Sequence, residues 1–184
     1  MKANLLHIVL IMSMLLAAVG PVAAKPPVTT IYLVRHAEKD PTPGLADPPL
    51  TPAGEARAQL LARRLVRRHP AALFTTDTRR TRATLTPLAQ ATNLTPLVYN
   101  AQDPNGLAIR LYKEYAGRTV VVAGHSNTML PLLTALGVTA PMQEIKDEEY
   151  DYLFKVELRP GQPARLVVSR YGAAARVAAG GSMR

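Results

Sequence analysis

The stretch Thr29-Thr30-Ile31-Tyr32-Leu33-Val34-Arg35-His36-Ala37-Glu38 decides the architecture. Its first six residues are β-branched or apolar without polar alternation, the pattern of a strand buried on both faces. A strand of that kind belongs to a parallel sheet covered by helices. A charged pair, Arg35-His36, stands at its carboxyl end. Two further segments repeat the arrangement. Ala71–Thr75 is a short strand followed by Thr76–Arg80, and Thr119–Ala123 is a Val-rich strand followed by Gly124-His125-Ser126-Asn127.

Between these strands lie helix signals. Thr51-Pro52 supplies an N-cap and a proline at the first helical position, and Ala58, Leu61, Ala62 and Leu65 form the apolar stripe behind them. Arg57, Arg64 and Arg68 fall off that stripe and are expected on a solvated face. Asp77 is expected to cap a helix from about Thr78 to Gln90. Asp103-Pro104 starts another, with Leu107, Ala108, Leu111, Tyr112 and Tyr115 on one face and Gly117 at its end. A fourth runs from about Asn127 to Leu136. Leu97–Tyr99 is a weaker strand signal, and Tyr152–Leu158 and Leu166–Ser169 are strands joined through Pro160-Gly161. The prolines between Asp40 and Leu50 exclude regular structure there. Alternating strands and helices predict an α/β fold, a three-layer α/β/α sandwich around a mainly parallel central sheet.

The ends and the composition bound the rest. Lys2, the apolar run Leu5–Val19 and the small residues Val22-Ala23-Ala24 follow the order of a secretory leader. The expected organisation is a signal peptide at 1–24, one domain at 25–172 and a frayed Ala/Gly-rich tail at 173–184. That places the chain outside the cytoplasm, periplasmic or extracellular, with no stable membrane span after cleavage; retention of the leader as an anchor is the alternative. The absence of cysteine removes disulfides, thiol nucleophiles and cysteine-based metal sites. A formal charge of +9, from 22 basic and 13 acidic residues, suits anionic partners. Few aromatics, no tryptophan and no nucleic-acid motif argue against nucleic acid among them.

In open α/β sheets the ligand crevice lies beyond the carboxyl ends of the strands. His36, Arg35, Arg80 and His125 converge there. Phosphoryl transfer depends on positioning and on stabilising charge over three oxygens. The forked guanidinium matches those oxygens, and a neutral imidazole is a nucleophile near pH 7. Helix N-termini after Thr76 and after His125 add backbone N–H donors.

These residues resemble a known family. Val34-Arg35-His36-Ala37-Glu38 is similar to the first signature of the histidine phosphatase superfamily, which includes the cofactor-dependent phosphoglycerate mutases. Thr75–Thr84 resembles its second block and Gly124–Thr128 its third, in the same order, over roughly residues 29 to 170. The resemblance implies a metal-independent phosphoric monoester hydrolase of the histidine acid phosphatase type, with no cofactor. His36 would become a phosphohistidine, Arg35 and Arg80 would grip the phosphate, and His125 would stabilise the group in transfer. Ser126 and Asn127 would contact substrate. Thr78, Thr81, Ala83 and Leu85 depart from the commoner residues of the second block.

The general acid is open. Asp103 is one candidate, with helix capping as the competing reading, and Glu38 is another. Members lacking the acid act on phosphohistidine or other labile phosphates. The expected substrate is a phosphorylated small molecule or an envelope glycan, with a protein phosphohistidine as the alternative. A catalytically silent, anion-binding envelope protein is the reading outside enzymes. Asp147-Glu148-Glu149 with Asp151 reads first as a solvated loop and second as a border of the crevice.

Overall fold

The structure, a computed structural model, describes residues 27–174. The expected leader at 1–24 lies outside the described residues, as does the tail from 175 onward. Six strands form one sheet: β1 (Thr29–Arg35), β2 (Ala72–Thr75), β3 (Leu97–Val98), β4 (Thr119–Gly124), β5 (Tyr152–Leu158) and β6 (Arg165–Arg170). Their order is β3-β2-β4-β1-β5-β6. The first four in that order pair parallel, and β5 and β6 add antiparallel at one edge. The sheet is thus mainly parallel. The antiparallel β5–β6 pair follows from the short Pro160-Gly161 connection, which fits a hairpin and is too short for a crossover.

Four helices cover the sheet among the described residues: α1 (Pro52–Leu65), α2 (Arg79–Thr92), α3 (Pro104–Glu114) and α4 (Ser126–Ala135). Strand periodicity divides the core between two faces. Ile31, Leu33, Phe74, Val120 and Val122 point to one side and pack with Leu107 and Leu111 of α3 and Met129, Leu132 and Leu133 of α4. Tyr32, Val34, Leu73, Val121 and Ala123 point to the other, against Leu61 and Leu65 of α1 and Leu85 and Leu88 of α2. Each fully buried leucine contributes about 2 kcal/mol of apolar burial. No helix among the described residues is long and apolar enough to cross a membrane.

Three local expectations are corrected. Thr78, not Asp77, caps α2, its side chain accepting from the Thr81 N–H. Asp77 instead accepts from Arg82 Nη2 at 2.6 Å. Thr78 precedes the first helical residue, so its hydroxyl reaches the third N–H, and Asp77 stands one residue too early. Tyr112 is not buried with the rest of its predicted face. It is 46% exposed, its hydroxyl donating to the Leu136 carbonyl.

Arg57 is the third correction. It is only 4% exposed, although it lies off the apolar stripe of α1. Its Nε donates to both Glu38 carboxylate oxygens at 3.0 and 2.9 Å, and Nη2 donates to Oε1 at 2.7 Å. Nη1 donates to the Tyr171 carbonyl at 2.6 Å and Nη2 to that of Ala173 at 2.8 Å. The charge is buried because every arm of the guanidinium finds an acceptor.

Candidate functional site

Strand pairing builds the site. In the parallel β1–β4 ladder Arg35 stands opposite Gly124, so the residues that follow both strands emerge side by side. The His36 N–H donates to the Gly124 carbonyl at 2.8 Å, extending the ladder by one rung. The His36 and His125 rings then meet edge to face with centroids 5.5 Å apart. β2 flanks β4 on the other side, with Thr75 opposite Ala123, which brings Thr76 beside His125. Thr76 Oγ1 is hydrogen-bonded to His125 Nε2 at 2.9 Å and to Thr81 Oγ1 at 2.8 Å. From α2, Thr84 accepts from the Ala37 N–H at 2.9 Å and donates to the Arg80 carbonyl at 2.7 Å. The loop carrying His36 and the helix carrying Arg80 are thereby fastened to each other.

The protonation states follow from burial. His36 is 3% exposed, and its Nδ1 lies 2.8 Å from the Ala37 carbonyl. A carbonyl only accepts, so Nδ1 carries the proton and Nε2 keeps its lone pair. Burial, reinforced by the Arg35 and Arg80 charges, pushes the His36 pKa down to about 3. Burial and the same two arginines push His125 down to about 4. Both rings are therefore neutral at pH 7.

The arginines are held but incompletely bonded. Arg35 is 3% exposed, and its Nη1 donates to the Lys146 and Asp147 carbonyls at 2.7 and 3.0 Å, with a longer contact of 3.4 Å to Glu149. Its Nη2 is 3.5 Å from Asp147 Oδ1, and burial lowers its pKa from the ordinary guanidinium value. Arg80 Nη1 is 3.3 Å from Asp47 Oδ1. The Nε groups of both Arg35 and Arg80 are buried and have no partner among the described residues. Arg82 is turned away to the surface, paired with Asp77.

Of the residues singled out from sequence, Arg35, His36, Arg80 and His125 share this crevice. Asp103 does not stand in contact with them. Its carboxylate accepts from the Gly106 N–H at 2.8 Å and caps α3, beside Tyr99, Asn100 and Arg110. Glu38 lies two residues past His36 but is engaged by Arg57 on both oxygens. Ser126 and Asn127 begin α4 and border a hollow with Leu130, Gln143, Glu144 and Ile145. No cluster of three or more His, Asp or Glu residues suited to a metal ion occurs among the described residues.

The segment after α4 is solvated at Asp147 and Glu148, as the first reading has it, but not throughout. Ile145 is buried, and Asp151 is 1% exposed and paired with Arg170 at 2.6 Å. The three carbonyls that bind Arg35 come from this segment, which therefore borders the crevice. It also delivers Tyr150, whose ring centroid is 5.8 Å from that of His36 and lies 4.3 Å from Arg35 Cζ. Tyr150, Thr76 and Asp47 are the site residues that sequence reasoning missed. An aromatic side chain inside an acidic run was the available signal for Tyr150.

Comparison with known proteins agrees with this geometry. Residues 31–102 match the family model described as the histidine phosphatase superfamily (branch 1). Over 69 residues the chain is 39% identical to phosphoserine phosphatase 1 of Hydrogenobacter thermophilus, covering 35% of this chain and 33% of that protein. The chain thus aligns with about a third of that relative's length. The fold is similar to that of the mycobacterial glucosyl-3-phosphoglycerate phosphatase, with a TM-score of 0.64, 16% identity, and coverage of 80% of this chain and 100% of the other. It is also similar to the protein histidine phosphatase SixA solved with tungstate, with a TM-score of 0.61, 18% identity, and coverage of 77% and 96%.

Proposed function

We propose that this chain, a member of the histidine phosphatase superfamily, is a phosphatase that hydrolyses phosphomonoesters through a phosphohistidine on His36. The observation that carries the reading is the pair of buried, unpartnered guanidinium N–H groups of Arg35 and Arg80 beside two neutral histidines. A buried donor without an acceptor is costly, and the cost is larger when the group is charged. An anionic oxygen supplies the missing acceptor. A tetrahedral phosphoryl group has enough oxygens to meet both arginines while its phosphorus faces an imidazole.

The sequence of events follows from the protonation states. The phosphate docks between Arg35 and Arg80, and His36 Nε2 attacks phosphorus with its lone pair. The ester oxygen leaves with the bonding electrons and takes a proton. Water then attacks the phosphohistidine, releasing inorganic phosphate and restoring neutral His36. The Nδ1–H donated to the Ala37 carbonyl steadies the imidazole as it gains positive character. His125, anchored by Thr76, turns an N–H toward the transferring oxygens once the dianion raises its proton affinity.

A second reading has its own support. Neither Glu38 nor Asp103 touches His36, Asp47 is paired with Arg80, and a site without an uncommitted carboxylic acid suits a labile phosphoramidate such as a protein phosphohistidine. The leader-like order of residues 2–24 supports a role outside the cytoplasm on a phosphorylated small molecule or envelope glycan. The test is turnover of p-nitrophenyl phosphate and of phosphohistidine by the native chain and by His36→Ala, with and without EDTA. The native chain is expected to release phosphate in both conditions and His36→Ala to release none. Loss of turnover with EDTA, or turnover by His36→Ala, contradicts the mechanism.

A further inference from the structure

The phosphatase mechanism above leaves one proton unassigned, that taken by the departing alcohol. Both carboxylates nearest in sequence are committed elsewhere, Glu38 to Arg57 and Asp103 to the end of α3. Asp47 is committed as well, to Arg80 and the Arg79 N–H, which leaves the Tyr150 phenol beside His36. The Tyr150 ring is 5.8 Å from the His36 ring and 4.3 Å from the Arg35 guanidinium carbon.

Its position is fixed from several sides. Arg35 grips the carbonyls of Lys146 and Asp147, Ile145 is buried just before them, and Asp151 is tied to Arg170 just after. The Tyr171 N–H donates to the Asp151 carbonyl at 2.9 Å, joining the same segment to the end of β6. A side chain held this way keeps its aim as substrate enters. The same arginine that binds the phosphate in this reading lies over the phenol ring.

We propose that the Tyr150 phenol is the general acid that protonates the leaving oxygen, an assignment that rests on the phosphatase reading above. As the His36 Nε2–phosphorus bond forms, the phosphorus–ester oxygen bond breaks and its electron pair stays on the alcohol oxygen. That oxygen takes the phenol proton. The phenolate left beside Arg35 then accepts a proton from the attacking water, whose oxygen bonds to phosphorus as the Nε2–phosphorus bond breaks. Inorganic phosphate departs and both residues return to their starting state. Electrostatics suit both halves of the cycle. Burial raises the Tyr150 pKa and keeps the proton in place at rest, while the Arg35 charge opposes that shift and stabilises the transient phenolate. Tyr99 is another half-buried phenol near the strand ends, but its hydroxyl is 3.4 Å from the Ala123 carbonyl.

Dependence on the leaving group tests the assignment. An alkanol leaves poorly without a proton, whereas p-nitrophenolate leaves unaided. The measurement is kcat/KM for glycerol 2-phosphate and p-nitrophenyl phosphate with the native chain, Tyr150→Phe and Tyr99→Phe. The ratio of the two constants does not depend on the fraction of protein folded. Tyr150→Phe is expected to lower the alkyl value about 100-fold or more and the aryl value by less than about tenfold, in line with ordinary general-acid contributions. Tyr99→Phe is expected to keep the native ratio. A native ratio in Tyr150→Phe, or a shifted ratio in Tyr99→Phe alone, overturns the assignment while leaving the phosphatase reading intact. Failure of the native chain to hydrolyse either ester overturns both.

Discussion

Replacing Arg57 with methionine keeps the bulk of the side chain and removes all five of its hydrogen bonds. Three of these go to Glu38 and two to the carbonyls of Tyr171 and Ala173, so one residue joins the nucleophile loop, α1 and the chain beyond β6. Removing one partner of a buried ion pair costs about 3–5 kcal/mol, chiefly by stranding the other charge. The Glu38 side chain is 24% exposed and recovers some hydration, which points to the lower end, about 3 kcal/mol. For a domain of this size each kcal/mol moves the melting temperature by about 2–4 °C, so Arg57→Met should lower Tm by roughly 6–12 °C. Circular dichroism melts of the native chain, Arg57→Met, Glu38→Met and Arg57→Met/Glu38→Met provide the assay. The double variant should melt above Arg57→Met, because it removes the stranded carboxylate. A fall of less than about 2 °C in Arg57→Met, or a double variant as unstable as the sum of the singles, would refute the buried-latch account.

Two further outcomes follow from the geometry. Asp103→Asn retains a capping oxygen and should hold kcat/KM within about twofold in the phosphatase assay, whereas Asp103→Ala should cost about 1 kcal/mol of stability in urea unfolding; a loss of two or more orders of magnitude in Asp103→Asn would return the acid role to this carboxylate. His36 has a folded pKa of about 3 against 6.5 when free, so between those values the unfolded chain binds the extra proton. Its contribution to folding is therefore complete above pH 6.5 and declines as pH falls toward 3. The urea midpoint should drop less in His36→Gln than in the native chain between neutral pH and about pH 5, and equal drops would contradict the assigned burial.

The parallel core was legible because its strands are buried on both faces and so spell uninterrupted apolar runs, as in Ile31–Val34 and Val120–Ala123. The convergence of Arg35-His36 with His125 followed from the rule that functional groups sit at strand carboxyl ends, together with adjacent placement of β1 and β4. Arg57 was not legible. Helical periodicity places it off the apolar stripe, and only the approach of Glu38 and the end of β6, 19 and more than 100 positions away, makes its burial favourable. Tyr150 was hidden for a related reason. Its acidic neighbours suggest solvent, while the carbonyls of the same segment, which carry no sequence signal, bind Arg35. Asp103 satisfied both the capping pattern and the catalytic expectation; the structure shows the capping bond, and the Asp103→Asn assay tests the other.

The central claim is a covalent phosphate on His36. Rapid mixing of the native chain with radiolabelled phosphomonoester, a base quench and peptide mapping should place the label on the peptide containing His36, stable to alkali and lost in acid, and absent from His36→Ala. Label on another residue, label retained by His36→Ala, or steady turnover of the native chain with no acid-labile protein phosphate would contradict it.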